Sequence, residues 1–165
     1  MDKVFKFNSF SLRKFIKNKD VEGLYQALGQ AEVVRHMASH GISKADCGAI
    51  ITESLKHWEE YKVGSWAVER NDVIVGWAGF KVWQKDEFEL LIVLGTDSWG
   101  LGKKIYSALI ALAKDEFKLK SLTIVLPDTR KSYLYIVKKA GFKHIGNESF
   151  NGESFQKFTL SLTSA

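Results

Sequence analysis

The run Ser121–Leu126 (SLTIVL) carries no charge and is rich in β-forming residues. A strand with one face in water alternates apolar and polar side chains, so an uninterrupted run suits a buried strand of a parallel sheet. Upstream lies a second β run, Phe88–Leu94 (FELLIVL). Between the two, Gly100–Lys114 reads as a helix through Leu101, Ile105, Leu109 and Leu112. Strand, helix, strand in this order restricts the chain to an α/β architecture. After Pro127-Asp128, the segment Arg130–Ala140 is helical and ends at Gly141, a residue suited to the first position beyond a helix.

The flanks add hairpins at both ends, which makes the sheet mixed. Phe10–Ile16 (FSLRKFI) alternates as a strand. Asp20 is placed to cap a short helix bearing Val21, Leu24, Tyr25 and Leu28. Ser43 with Asp46 has the spacing of a capping box, ahead of a stripe through Ile51, Leu55 and Trp58. Ser65–Glu69 and Val73–Val82 are β runs hinged at Asn71-Asp72, and ESF-NG-ESF around Asn151-Gly152 is a hairpin signal. No repeat or low-complexity stretch divides the chain, and its single proline leaves no proline-rich linker, so residues 1–165 read as a single domain.

Composition excludes several classes. With 45% hydrophobic and 26% charged residues, the chain has the balance of a folded globular protein and not of a disordered one. No apolar run approaches the roughly 18 residues of a membrane span, and MDKVFKFNSF lacks an apolar signal core. Cys47 is the only cysteine, so it forms no internal disulfide and supplies no thiolate cluster. These features point to a reducing cytoplasm, with no membrane partner and no metal. Of the net charge of +5, the segment Leu101–Lys143 accounts for +7 and the rest of the chain for −2. A phosphate-bearing ligand at that segment would profit from the charge; the alternative is a solvated helical face.

Asp97-Ser98-Trp99-Gly100-Leu101-Gly102-Lys103-Lys104 joins the strand to the helix. Glycines at such a junction let the backbone approach a phosphate, while free N–H groups and the helix dipole favour negative charge. The motif is not a nucleotide P-loop, because Asp97 and Lys104 stand where glycine and Ser/Thr are needed. It is not a dinucleotide fingerprint either, because Ile105 replaces the third glycine. What remains is a short diphosphate loop, or a structural strand-to-helix turn.

The surroundings of this loop resemble the GNAT superfamily of N-acetyltransferases, and more narrowly the Rim-type branch that acetylates ribosomal-protein N-termini. The matches are Leu12-Arg13 with Asp20, Glu32–Met37 (EVVRHM), Trp66-Ala67-Val68, Ile74–Gly79 (IVGWAG), Glu89, Trp99–Gly102 and Lys139–Phe142 (KAGF). They span nearly the whole chain in the family's order. The resemblance implies a GNAT-like α/β domain, with a mixed central sheet of roughly six or seven strands flanked by about four helices. It implies acetyl-CoA as acyl donor and an amine acceptor, either a protein N-terminus or a small molecule. It also implies that Trp99, Gly100, Leu101, Gly102, Lys103 and Lys104 hold the CoA diphosphate. Ile92, Val93 and Leu94 would pair with the pantetheine arm and offer an amide to the thioester oxygen.

Four positions depart from the family pattern. Asp97 stands for the usual Gln or Arg, and Arg130 for Asn, where it is a candidate phosphate contact through a charge-assisted bond. Tyr133 stands for Ala or Ser, and Val137 for a tyrosine acid. Attack on a thioester needs a neutral amine and a way to protonate the leaving thiolate. Glu89 is the candidate base, with Glu87 in reserve. Tyr133, one helical turn before Val137, is the candidate acid; core packing is its other reading. Trp83 is placed to line the pocket or the core, and His36 and His40 fall in a segment that forms one wall of the acceptor site in this fold. Two rival readings are a catalytically silent acyl-CoA-binding or regulatory module, and a nucleic-acid-binding domain. The second finds no supporting motif. The oligomeric state and the acceptor are left open.

Overall fold

The computed structural model describes residues 3–29, 42–84, 87–128, 131–150 and 152–163. In chain order these form β1 (Phe5–Lys6), β2 (Ser11–Arg13), α1 (Val21–Leu28), α2 (Lys44–Tyr61), β3 (Ser65–Arg70), β4 (Val73–Gln84) and β5 (Glu87–Leu94). A 3-10 turn (Thr96–Leu101), α3 (Gly102–Ala111) and a π turn (Leu112–Glu116) follow. The chain closes with β6 (Ser121–Pro127), α4 (Lys131–Lys139), β7 (Lys143–Phe150) and β8 (Glu153–Ser161). The strands run in the order β1-β2-β3-β4-β5-β6-β8-β7. Eight strands exceed the six or seven expected by the two-residue β1, which pairs Phe5 with Leu12 and Lys6 with Ser11. Two residues are too few to show a period, so β1 exists through its partner strand. By their contacts the residues divide into two units, Met1–Gly79 with Leu91–Gly102 and Phe80–Leu90 with Lys103–Ala165.

In the first unit, β2 pairs antiparallel with β3, and β3 with β4, where Ala67 faces Trp77. Asn71 and Asp72 both take left-handed φ, 53° and 64°, as a tight hairpin turn requires. Phe15, Leu24, Leu28, Cys47, Ile51, Ala67 and Ile74 form one buried cluster joining both helices to the strands. Each large aliphatic side chain buried there contributes about 1.5–3 kcal/mol. The capping box of α2 is complete: Asp46 N–H donates to Ser43 Oγ at 3.0 Å, and Ser43 N–H donates to Asp46 Oδ2 at 2.9 Å.

Asp20 corrects the sequence reading. It occupies the N-cap position of α1, yet its side chain makes no cap. Arg13 donates to both of its carboxylate oxygens, at 2.8 and 2.9 Å, and the Ile16 amide donates at 2.6 Å. Arg13 Nε also meets Glu69 at 2.9 Å. Burial works to raise the Asp20 carboxyl, but the Arg13 and Ile16 hydrogen bonds outweigh it and hold the group below its usual range. The carboxylate thus fastens β2 to the chain entering α1 instead of serving the helix.

In the second unit, β5 pairs parallel with β6 at Phe88–Leu122 and Glu89–Thr123. β6 pairs antiparallel with β8 along its whole length. β7 and β8 form the expected hairpin, with Gly152 at φ 80° and Asn151 outside the described residues; β7 is bulged between His144 and Gly146. Phe80, Leu90, Ile105, Leu109, Leu122, Ile124 and Phe158 are buried. Gly141 takes φ 100° just past α4, the left-handed conformation expected of it. The helix expected over Gly100–Lys114 is three structures in series. Its regular part starts at Gly102, and at its end the Phe117 amide bonds to Leu112 O, the wider spacing of a π turn. Among the described residues no helix is long and apolar enough to cross a membrane.

Candidate active site

The strand-to-helix junction is built in steps. The Gly95 amide donates to Val75 O at 2.8 Å, which fixes the end of β5, and Ser98 N–H donates to Gly95 O at 2.9 Å, which starts the 3-10 turn. Leu101 is buried and anchors the turn. Gly100 and Gly102 follow, and neither has a left-handed φ. A β-carbon built on either would meet nothing within 4 Å. So neither the backbone conformation nor the neighbouring atoms demand glycine there, and Gly102 lies in the first turn of a helix that alanine would favour by up to about 1 kcal/mol. Space beside a helix N-terminus is what an approaching anion needs. Asp97 is exposed on the same turn, and the side chain of Trp99 lies outside the described residues.

Lys103 and Lys104 follow at once and are exposed. Lys103 lines a groove of about 550 Å³ between α3 and α4, together with Tyr106, Ser107, Lys114, Ile136 and Lys139. Three lysines of the basic segment, all exposed, therefore border one concavity. That Lys114 and Lys139 line one groove was not legible in the sequence, because residues 25 positions apart meet only through the packing of two helices. Arg130 lies outside the described residues, as do His36 and His40.

Glu89 is half-buried in the row Glu89–Thr123–Thr159 that crosses β5, β6 and β8. Burial raises its carboxyl pKa above the ordinary value, while the Lys81 ammonium pulls it down. Among the described residues none hydrogen-bonds it. A carboxylate so placed takes up a proton more readily than an exposed glutamate. Glu87, the reserve base, is committed elsewhere: Lys157 lies 3.4 Å from it and 3.7 Å from Glu148. The same ammonium sits 5.9 Å from the Trp83 ring. Val137 is fully buried in α4. Tyr133 belongs to the same helix, with its side chain outside the described residues. Among the described residues no three His, Cys, Asp or Glu side chains group as metal ligands would.

The first unit carries a glycine loop with open space beside it, and the second carries lysines and a half-buried carboxylate; each is a feature that acyl transfer from a phosphate-bearing donor uses. The family model for the acetyltransferase (GNAT) domain matches residues 10–143, and the chain belongs to that family. Its fold is similar to that of a GNAT-family acetyltransferase from Bacillus anthracis, with a TM-score of 0.80, 13% identity, and 97% of this chain and 99% of that one covered. It is similar also to RimL, a ribosomal L7/L12 α-N-protein acetyltransferase solved with coenzyme A (TM-score 0.79, 11% identity, 96% and 98% covered). A third likeness is to MccE, the microcin C7 self-immunity acetyltransferase solved with acetyl-CoA and AMP (TM-score 0.78, 18% identity, 94% and 93% covered). Among curated protein sequences nothing matches.

Proposed function

We propose that the chain, read as one acetyltransferase domain over residues 1–165, transfers the acetyl group of acetyl-CoA to a primary amine. The observation that carries this reading is the pair Gly100 and Gly102, glycines whose missing β-carbons leave room that the chain itself does not use. That room fits a diphosphate against the amides opening α3, with Lys103 and Lys104 supplying counter-charge. Arg130 would add a further cation. Acetyl-CoA supplies the activated acyl group as a thioester. Ile92, Val93 and Leu94 would hold its pantetheine arm and give an amide to the thioester oxygen.

Glu89 would take a proton from the acceptor's ammonium group, directly or through water, and leave the neutral amine that attacks the thioester. Burial raises its pKa and so makes it a stronger base than an exposed glutamate. Tyr133 would return a proton to the leaving thiolate. RimL, an α-N-protein acetyltransferase, supports an amine acceptor without naming this one, and MccE, solved with acetyl-CoA, supports the donor. The cytoplasm, where acetyl-CoA is made and cysteines stay reduced, suits the reading.

Thermal unfolding with and without acetyl-CoA tests it. A ligand that binds only the native state adds about 2.7 kcal/mol at a hundred times its Kd, so a clear rise in Tm is expected. An unchanged Tm at millimolar acetyl-CoA overturns the assignment. Binding without turnover across an amine panel would instead identify a silent acyl-CoA-binding module.

A further inference from the structure

Gly76 belongs to the IVGWAG run, yet it has no part in the chemistry above. It faces Val68 across β3, and its φ is not left-handed, so its own backbone would accept alanine. The obstacle is β5. A β-carbon on Gly76 would overlap the Val93 carbonyl oxygen, and would come within 2.8 Å of Leu94 Cδ2 and 3.0 Å of Leu94 Cα. Two of these three are backbone atoms and cannot swing aside. One peptide further on, Gly95 N–H is tied to Val75 O at 2.8 Å. β4 therefore grips Val93–Gly95 from two consecutive residues, by a hydrogen bond at Val75 and by close backbone approach at Gly76.

We propose that Gly76 is a positioning residue for the donor site. It sets how closely Ile92–Leu94 lies against β4, and so where the amide offered to the thioester oxygen stands. The inference rests on the proposed function, since it gives the glycine a purpose only if that segment holds the acyl donor. A side chain at position 76 displaces the segment rather than removing any group from it. Misplacement of a reacting geometry by about 1 Å is worth on the order of 10²-fold in rate. Gly23 is the internal contrast, because the three atoms nearest a methyl there all belong to the Ile74 side chain, with Cδ1 at 3.2 Å.

The test compares wild type, Gly76→Ala and Gly23→Ala by calorimetric titration with coenzyme A, by steady-state kinetics and by backbone amide spectra. Gly76→Ala is expected to fold, to bind coenzyme A at least about tenfold more weakly, and to lose on the order of 10²-fold in kcat/KM for acetyl-CoA. The KM for the amine should hold, and the Val93 and Leu94 amide signals should move. Gly23→Ala should match wild type in all of these. If Gly76→Ala does not fold, the same comparison is made in a Leu94→Val background, which withdraws one of the obstructing methyls. A folded Gly76→Ala protein with wild-type affinity and turnover overturns the proposal. Loss of the fold in both backgrounds also overturns it, since the glycine would then serve strand packing alone. A wild type that binds no coenzyme A refutes the donor-site reading itself, a separate result.

Discussion

Glu89 gains its character from its place in the sheet. Phe88 and Leu90, its chain neighbours, alternate to the opposite face, and Leu90 is buried there. Glu89 is left in the polar row with Thr123, which is itself 2% exposed. Burial penalises the carboxylate form, so the charged base accumulates only above a pKa higher than that of an ordinary glutamate. If Glu89 is the base, kcat falls as pH drops through that raised pKa, at a higher pH than for an exposed carboxylate. Glu89→Gln should lower kcat by about 10²-fold or more at neutral pH, with acetyl-CoA affinity retained. The deficit should shrink at high pH, where the amine deprotonates unaided. The variant should be no less stable than wild type, because it removes a charge whose burial is unfavourable. Superimposable pH–rate profiles for the two proteins would remove Glu89 from the mechanism.

At the scale of elements, the junction from β5 to α3 carries the donor reading, and it can be tested without touching a charged group. Gly102→Val should fold, since a β-carbon there meets nothing within 4 Å. It should also abolish the acetyl-CoA-induced rise in Tm, because the branched side chain fills the space beside the helix amides. A folded Gly102→Val protein with unchanged affinity would sink the loop assignment. This junction was legible in the sequence because glycines between a strand run and a helix stripe are a local signal. So were the Ser43–Asp46 box and the Asn71-Asp72 turn, whose bonds and dihedrals involve residues at most three apart. Asp20 was misread for the opposite reason. Its partner, Arg13, lies seven residues away on a different element and outcompetes the helix amides. The turns at either end of α3 were missed because helical periodicity does not distinguish 3-10, α and π spacing over five or six residues. The close approach of β5 at Gly76 was invisible for want of Val93, and the engagement of Glu87 for want of Lys157, seventy positions on.

For the molecule as a whole, charge separates along the chain, with +7 between Leu101 and Lys143 and −2 elsewhere. The first suits a donor bearing three phosphate groups, and the second is compatible with a cationic acceptor. An α-amino group has a pKa of about 7.7–8.0 against about 10.4 for lysine, so far more of it is neutral near pH 7. Val137 is buried and has no proton to give, so an acceptor that needs less help is favoured. A panel should therefore show small or N-terminal α-amines acetylated in preference to internal lysine peptides, and the reverse preference would overturn this. Cys47 bears on how such a panel can be read. It is the chain's only sulfhydryl, fully buried, with its ionisation suppressed by desolvation and by nearby Asp46. Each acetyl transfer liberates one molecule of free coenzyme A, whose mercaptan reacts with aromatic disulfide dyes. The native polypeptide should stay silent toward such dyes, so colour development would count turnovers directly, even at high enzyme concentration.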